Sequence, residues 1–366
     1  MGKGILNVGI VGCGNISAIY LTNLGKSKAV RVTAVADLVR AKAEEQAKKY
    51  SVPSVLEVKE LLRSPDIDII LNLTIPAAHG KITLDALKNG KHVYNEKPLS
   101  IDLAEARAIV ALAKKKKLRV GCAPDTFLGG GWQRGRKIVD SGELGRIVGG
   151  TGFMIYHGPE SWHPSPEFFF KKGAGPLFDM GPYYITALVS LLGPVASVQA
   201  ETKITHRIRT ITSKPLYGKK VKVDVPTHVC ALLTFASGPV ITLTTSFDAH
   251  SAALPNLELF GDKANLRLPD PNQFTGALTR TDNMVEHKIN RMAEPFQQNS
   301  RGLGLVDMAV AFKKRRPHRA SGDLALHVLE TMHAILKAGA SGNRVRIGST
   351  VSRPEPLPAE ATGWFN

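Results

Sequence analysis

The feature that most restricts how this chain folds is the alternation of strand-patterned and helix-patterned segments, with short joins, over its first 123 residues. Leu6–Val11 is an apolar run of strand length, and Val30–Ala36 is rich in β-branched residues. Residues 68–73, 92–95 and 118–123 repeat the pattern, giving five strands. Residues 15–24 carry Ile16, Ile19, Tyr20 and Leu24 at helical spacing, and residues 39–50 set Glu44 and Glu45 four places ahead of Lys48 and Lys49. Ser54-Val55-Leu56-Glu57 reads as a capping box that opens a short helix; residues 77–87 read as a helix stopped by Asn89-Gly90, and Ser100 caps another. Strands that are apolar throughout, with no polar face, belong where both faces are covered. The expectation is an α/β doubly wound parallel sheet over residues 1–123, with helices on each side.

After Pro124 the rhythm changes. A helix is expected over residues 132–140 and another over 182–192, while strands dominate at 147–156, 195–205, 227–236, 240–247, 256–260 and 265–268. Ser237-Gly238-Pro239 and Gly261-Asp262 mark hairpin turns between neighbours. Residues 269–301 lack periodicity and read as a long arm or loop, and two helices near 303–314 and 323–338 close the chain. Residues 124–366 are therefore expected to form an α+β domain around a large, mainly antiparallel open sheet, the domain for substrate and for oligomer contacts.

The segment Val8-Gly9-Ile10-Val11-Gly12-Cys13-Gly14-Asn15-Ile16-Ser17 puts two glycines between the first strand and the first helix. Gly12 permits a tight turn, and Gly14 lets a pyrophosphate approach the backbone at the helix N-terminus. The third fingerprint position is Ser17, still small enough for close helix–strand packing. A bare Gly-x-Gly says little. It gains weight from Asp37, which ends the second strand twenty residues after Ser17, where a carboxylate accepts ribose hydroxyls and repels a 2′-phosphate. This makes a Rossmann domain for NAD the expectation, with Gly12, Gly14, Asn15, Ile16 and Asp37 in the cofactor site. Arg40, three residues on, leaves room for NADP.

His92-Val93-Tyr94-Asn95-Glu96-Lys97-Pro98 falls at the carboxyl end of the fourth strand counted in sequence, where open α/β sheets bind ligands. Pro98 restricts the backbone of Lys97 and stiffens its mount. A lysine beside an oxidised nicotinamide ring has its ammonium form disfavoured, which suits it to take a proton from a hydroxyl. A surface lysine ahead of a turn is the plainer alternative. In the second half, Asp179 and Tyr183 stand four apart and share a helical face if the helix has begun there; the alternative is a capping aspartate with core tyrosines. Trp162 and His163 fall on a loop expected to follow the strand at 147–156, the first offering a face for a sugar ring and the second a hydrogen bond, unless Trp162 packs into the loop's own small core. Asp125, just past the strand at 118–123, is a further candidate for a hydroxyl.

Taken together these residues resemble the family of glucose–fructose oxidoreductase, inositol dehydrogenase and the MocA-type dehydrogenases. The resemblance runs from Gly9–Ser17 through Leu73–His79, Glu96-Lys97-Pro98, Glu143-Leu144-Gly145 and Gly175–Tyr183 to Arg319–Val345. It implies that Lys97 is the catalytic lysine, often preceding a cis proline, that Asp179 contacts substrate, and that Thr74, Pro76, His79 and Glu96 lie near the cofactor. Many members carry histidine where this chain has Tyr183; tyrosine is similar to the glucose–fructose oxidoreductase branch, where it gives or takes a proton.

The activity expected is hydride transfer between a sugar or polyol carbinol carbon and nicotinamide, with Lys97 and Tyr183 handling the hydroxyl proton and Asp179 orienting the substrate. Two other readings stand beside it: an NAD-dependent glycosidase acting through transient oxidation at C3, and a non-enzymatic dinucleotide-sensing regulator, against which the intact Glu96-Lys97-Pro98 counts. The formal net charge of +17 is spread along the chain, with short clusters at Lys114–Lys117 and Lys313–Arg319, rather than gathered on one module as nucleic-acid binding requires. Cys13, Cys122 and Cys230 have no paired spacing, so reduced thiols are expected and no metal site is supported. No apolar stretch has membrane-spanning length, and Met1-Gly2-Lys3-Gly4 leads straight into a strand, which makes a cytoplasmic protein the expectation, with neither nucleic acid nor membrane as partner. Apolar alternation in 231–235 and 240–243 suggests a sheet face for a homodimer or homotetramer.

Overall fold

Strands with no polar face pair side by side in the first part of the chain. They are β1 (Leu6–Val11), β2 (Val30–Ala36), β3 (Ser54–Val55), β4 (Ile69–Asn72), β5 (His92–Asn95) and β6 (Val120–Cys122), alternating with helices α1 (Ser17–Leu24), α2 (Arg40–Tyr50), α3 (Val58–Arg63), α4 (Pro76–Lys88) and α5 (Leu103–Lys116). In the computed structural model, which describes residues 4–289 and 294–365, all neighbouring pairs of this sheet are parallel, in the order β3-β2-β1-β4-β5-β6. Val8, Ile10, Val35, Ile70, Leu71 and Val93 are almost wholly buried, as a sheet covered on both faces requires. Six strands stand where the sequence reading counted five. Ser54 does not open a helix: Ser54 and Val55 pair with Ala34 and Val35 on the free edge of β2. The capping box comes three residues later, between Glu57 and Glu60 at the start of α3. Likewise Asp102 caps α5 by accepting the Glu105 N–H, and Ser100 supports it by accepting the N–H of Asp102.

The chain separates into two units, of which the first comprises Met1–Gly130, Pro295–Leu329 and Pro354–Asn366, and the second Gly131–Glu294 and Glu330–Arg353. The expected single cut after residue 123 therefore gives way to a chain that returns to its first unit. The returning part is itself braced by buried charge. Asp307 is fully buried and binds the side chains of Arg316 and Arg319 and the backbone N–H of Arg319. Removing one partner from such a cluster costs about 3–5 kcal/mol.

The second unit contains α6 (Gly130–Asp140) and a nine-stranded sheet. Its strands are β7 (Ile147–Ile155), β8 (Val195–Lys203), β11 (His228–Phe235), β12 (Val240–Ser246), β13 (Leu257–Gly261), β14 (Asn265–Leu268), β15 (Leu278–Asp282), β16 (Val285–Ile289) and β17 (Val345–Arg346). A separate two-stranded hairpin pairs β9 (Ile208–Thr210) with β10 (Lys220–Lys222). The large sheet runs β16-β15-β14-β13-β7-β12-β11-β8-β17 and is antiparallel except where β7 and β12 lie parallel. Strands β15 and β16 lie within the stretch expected to be an arm; their hairpin extends the sheet, and residues 290–293 of that stretch fall outside the described residues. Helix α7 (Gly175–Leu192) begins seven residues before the expected start, with Pro182 inside it. A proline there forfeits one helical hydrogen bond; near-complete burial of Leu177, Phe178, Tyr184, Ile185, Leu188 and Val189 carries the helix across it. Closing helices are α8 (Leu303–Lys313) and α9 (Gly322–Ser341). Among the described residues no helix is long and apolar enough to cross a membrane.

Candidate active site

In the first unit the turn after β1 is built by backbone geometry. Gly12 has φ +102°, and a Cβ there would lie 2.6 Å from the carbonyl carbon and oxygen of Leu73, so neither conformation nor space admits a side chain. Gly14 differs: it is exposed, and a Cβ would meet no protein atom within 4 Å. Helix α1 begins just beyond, with no side-chain cap and no acidic residue in its first turn. Its N–H groups and partial positive end thus face open space in front of Gly14, Asn15 and Ile16, which is the cradle that a dinucleotide pyrophosphate fits. Ser17 is buried, and its hydroxyl donates to the Gly14 carbonyl at 2.6 Å.

Asp37 closes the cradle from β2. One carboxylate oxygen accepts the Cys13 N–H at 2.7 Å and the other the Val39 N–H at 2.8 Å, leaving lone pairs on both for ribose hydroxyls. Burial, then the Asp37 charge, pushes the Cys13 thiol up to about 12, so this loop cysteine stays protonated and unreactive. Arg40 turns away to two carboxylates, Glu44 at 2.9 Å and Glu57 at 3.1 Å.

Lys97 stands half-buried two residues past the end of β5, and its peptide bond to Pro98 is cis. The neighbouring Glu96 is buried and holds that residue's backbone: Oε2 accepts the Lys97 N–H at 2.9 Å, and Oε1 accepts the Tyr20 hydroxyl at 2.7 Å. Tyr20 is fully buried on α1, and burial followed by the Glu96 charge raises its pKa, so it remains a donor. Glu96 therefore joins the helix behind the glycine turn to the lysine rather than facing a ligand. Thr74 and Pro76 lie half-buried where β4 passes into α4, with the Thr74 hydroxyl donating to the buried Asn72 at 2.7 Å.

Two candidates prove to be interior. His79 is 1% exposed, and its ring nitrogens lie 2.6 Å from the Pro98 carbonyl and 2.9 Å from that of Thr74. Asp125 is also 1% exposed; its Oδ2 accepts the N–H groups of Gly302 and Gly304 at 3.0 and 2.9 Å. Burial pushes its carboxyl up to about 6, against those bonds and Arg301. The expected sugar ligand is thus a fastener for the returning chain.

In the second unit Asp179 and Tyr183 both lie within α7, one turn apart, Asp179 half-buried and Tyr183 at 7% exposure. The next residue, Tyr184, is a core group whose hydroxyl donates to the Phe153 carbonyl. Burial, then the charges of Asp179 and Glu160, raises the pKa of Tyr156. This adds Tyr156 to the groups near Asp179. Trp162 is 57% exposed and meets His163 and Phe169 in T-shaped contacts. His163 accepts the Ser165 N–H through Nδ1, and its pKa is lowered by burial.

One element escaped the sequence reading. Arg209, from β9, is 5% exposed; it donates to Glu160 at 2.6 Å, to Asp248 at 2.7 Å and to the Phe247 carbonyl at 3.0 Å. It anchors the loop that carries Trp162 and His163 through the turn Pro159–Ser161. The strand exposes Ile208 and buries Arg209, the reverse of what residue polarity suggests, so no local signal marked the inward arginine.

Comparison with known proteins agrees with this division. The model described as an oxidoreductase family with an NAD-binding Rossmann fold (GFO_IDH_MocA) matches residues 6–123, and the GFO/IDH/MocA C-terminal domain model matches residues 132–267, together well over half of the chain. D-xylose dehydrogenase of Paenarthrobacter nicotinovorans is 28% identical over 172 residues, 45% of this chain and 44% of that protein. Inositol 2-dehydrogenase of Salmonella paratyphi B is 30% identical over 172 residues, 45% of this chain and 51% of that protein. The chain thus matches about half the length of these curated relatives. A solved structure of levoglucosan dehydrogenase in complex with NADH and L-sorbose superposes with a TM-score of 0.81 at 20% identity, covering 95% of this chain and all of that one (100%), a likeness of fold.

Proposed function

The chain belongs to the GFO/IDH/MocA oxidoreductase family, and from that premise we propose that it oxidises, reversibly, a hydroxyl-bearing carbon of an uncharged sugar or polyol. NAD, when bound in the cradle of Gly12, Gly14, Asn15, Ile16 and Asp37, supplies the hydride acceptor. Lys97 takes the proton from the reacting hydroxyl; Asp179 accepts hydrogen bonds from substrate hydroxyls; Tyr183 is the second group that gives or takes a proton; Trp162 and His163 contact the sugar ring. The observation that carries the reading is the mount of Lys97, whose backbone is fixed by the buried Glu96 carboxylate that also grips α1. A proton acceptor works when it is held in position.

The charge ledger of the second unit narrows the substrate. Asp179, Tyr183, Tyr156, Trp162 and His163 include no lysine or arginine, and Arg209 is committed to Glu160 and Asp248. Burial favours the neutral form of His163. A carboxylate among aromatic rings suits neutral hydroxyls and repels phosphates and uronates. The test is a screen of D-xylose, inositol and levoglucosan against their phosphorylated or carboxylated counterparts, with NAD and NADP, following nicotinamide absorbance. Turnover of neutral compounds with NAD is expected; turnover confined to anionic sugars, or release of an aglycone without net NADH, would sink the proposal.

Cofactor choice has its own test. Asp37→Ser is expected to weaken NAD binding by about tenfold, the loss of one charge-assisted hydrogen bond, and to improve NADP. Fluorescence titration with both dinucleotides checks this, and an unchanged preference would remove Asp37 from the ribose site.

A homo-oligomer is part of the same proposal. The sheet face opposite the buried Val229, Ala231, Leu233, Ile241 and Leu243 aligns Cys230 with Thr244 and Phe153, and Leu232 with Thr242 and Thr151. Leu232 and Val240 are 44% and 43% exposed on it. These rows, uncharged from β11 to β7 and flanked by Glu201 on β8 and Glu258 on β13, suit a second copy of the chain. Leu232→Arg is expected to reduce the mass measured by sedimentation; an unaltered mass would place the contact elsewhere.

A further inference from the structure

His79 offers no group to a ligand, yet it touches both segments on which the proposed chemistry depends. Its ring joins the Pro98 carbonyl, one residue beyond Lys97, to the Thr74 carbonyl, in the segment between β4 and α4. The backbone of His79 is itself pinned: its carbonyl accepts from Asn72 Nδ2 at 3.1 Å and from the Thr83 hydroxyl at 2.7 Å. The same hydroxyl lies 2.9 Å from the side-chain amide of Asn95 at the end of β5, its single proton shared between the two oxygens. The imidazole thus stands on a frame fastened to both β4 and β5. On one side of Lys97 the Glu96 carboxylate holds the N–H; on the other, His79 holds the next carbonyl. Both partners are acceptors, so the neutral ring that burial favours donates to one of these carbonyls, and the protonated ring that both carbonyls favour donates to both.

We propose that His79 is a positioning residue for Lys97, fixing the turn that carries the amine against the segment 74–76. The inference rests on the reading of Lys97 as the proton-handling group. A lysine has four rotatable side-chain bonds, so the place of its amine is set first by its backbone; a displacement of about 1 Å there costs about a hundredfold in rate.

The test compares His79→Leu, which removes both ring nitrogens, with His79→Gln, whose amide still donates. In the dinucleotide-free protein, lysines methylated with ¹³C-formaldehyde give resonances of which Lys97 is the one missing from Lys97→Ala. That resonance is expected to shift or broaden in His79→Leu and to return toward its original position in His79→Gln. With the best substrate of the screen, kcat of His79→Leu is expected to fall about 10–100-fold, with NAD affinity changed less than about threefold and His79→Gln regaining most of the loss. In the Lys97→Ala background His79→Leu should lower the residual rate no further, as for two residues that act as one unit. An undisturbed Lys97 resonance in His79→Leu overturns the proposal, as does an NAD affinity that falls with kcat or a further loss in the double variant. If His79→Leu does not fold, the split between kcat and NAD affinity in His79→Gln decides. Full turnover by Lys97→Ala would instead remove the premise, leaving the resonance to judge the clamp alone.

Discussion

Lys97→Ala is expected to lower kcat by about 10²–10⁴-fold, the range for losing a positioned acid–base group, while NAD binds within a few fold of its original affinity. The two halves of this expectation have separate physical sources. Binding survives because the bond that Glu96 makes is to the backbone N–H of residue 97, which alanine keeps. The Tyr20–Glu96 link to α1 is untouched as well, so the glycine turn and Asp37 retain their support. Turnover is lost because no other described side chain on this turn carries an amine. Lys97→Arg should rescue little: guanidinium stays protonated at any working pH and cannot accept a proton. Steady-state rates beside fluorescence titration with NAD separate the two effects. A variant with near-normal kcat would show that Lys97 is a bystander; one that loses NAD in proportion to rate would make it a binding residue.

What could be read from the sequence divides along a physical line. The turn at Gly12 and Gly14, the acid at Asp37 and the lysine at the end of β5 were legible because each depends on local patterning: an apolar strand, a turn needing positive φ, and a residue at a strand's carboxyl end. Where the partner lies far along the chain, the same patterning misleads. Asp125 reads as a polar residue free beside a strand end, but its partners are Gly302 and Gly304, 177 and 179 positions away. Arg209 and Glu160, 49 positions apart, form the brace of the loop that carries Trp162 and His163, and nothing in either segment announces the other. Ser54 reads correctly as a capping residue by type; the open edge of β2 outbids that preference by pairing with Ser54 and Val55. Pro182 marks a helix start in isolation, and only the burial of the preceding turn lets α7 begin at Gly175. His79 is the case between: resemblance implies a place near the cofactor, and its buried ring faces the Pro98 and Thr74 carbonyls.

The two glycines of the turn are expected to fail in opposite ways when substituted. Gly12→Ala asks an L-residue to adopt φ +102° and drives a methyl to 2.6 Å from the Leu73 backbone, which cannot withdraw without breaking its own hydrogen bond to Val11. Strain of this kind costs upwards of about 2 kcal/mol, so thermal unfolding should begin several degrees lower even with no cofactor present. At Gly14 a Cβ meets no protein atom within 4 Å beyond its chain neighbours, and there is no positive φ to maintain. The apo stability of Gly14→Val should therefore match the parent, while NAD affinity falls by about tenfold or more, equivalent to at least about 1.4 kcal/mol, because the side chain enters space that only a pyrophosphate needs. Melting curves and NAD titrations on both variants make the comparison. If Gly14→Val bound NAD normally, the open space before α1 would not be where the dinucleotide approaches; if Gly12→Ala melted like the parent, the turn would have a freedom that the Leu73 contact denies it. The contrast between the two, rather than either loss alone, distinguishes a cradle shaped for a ligand from a turn shaped only by packing.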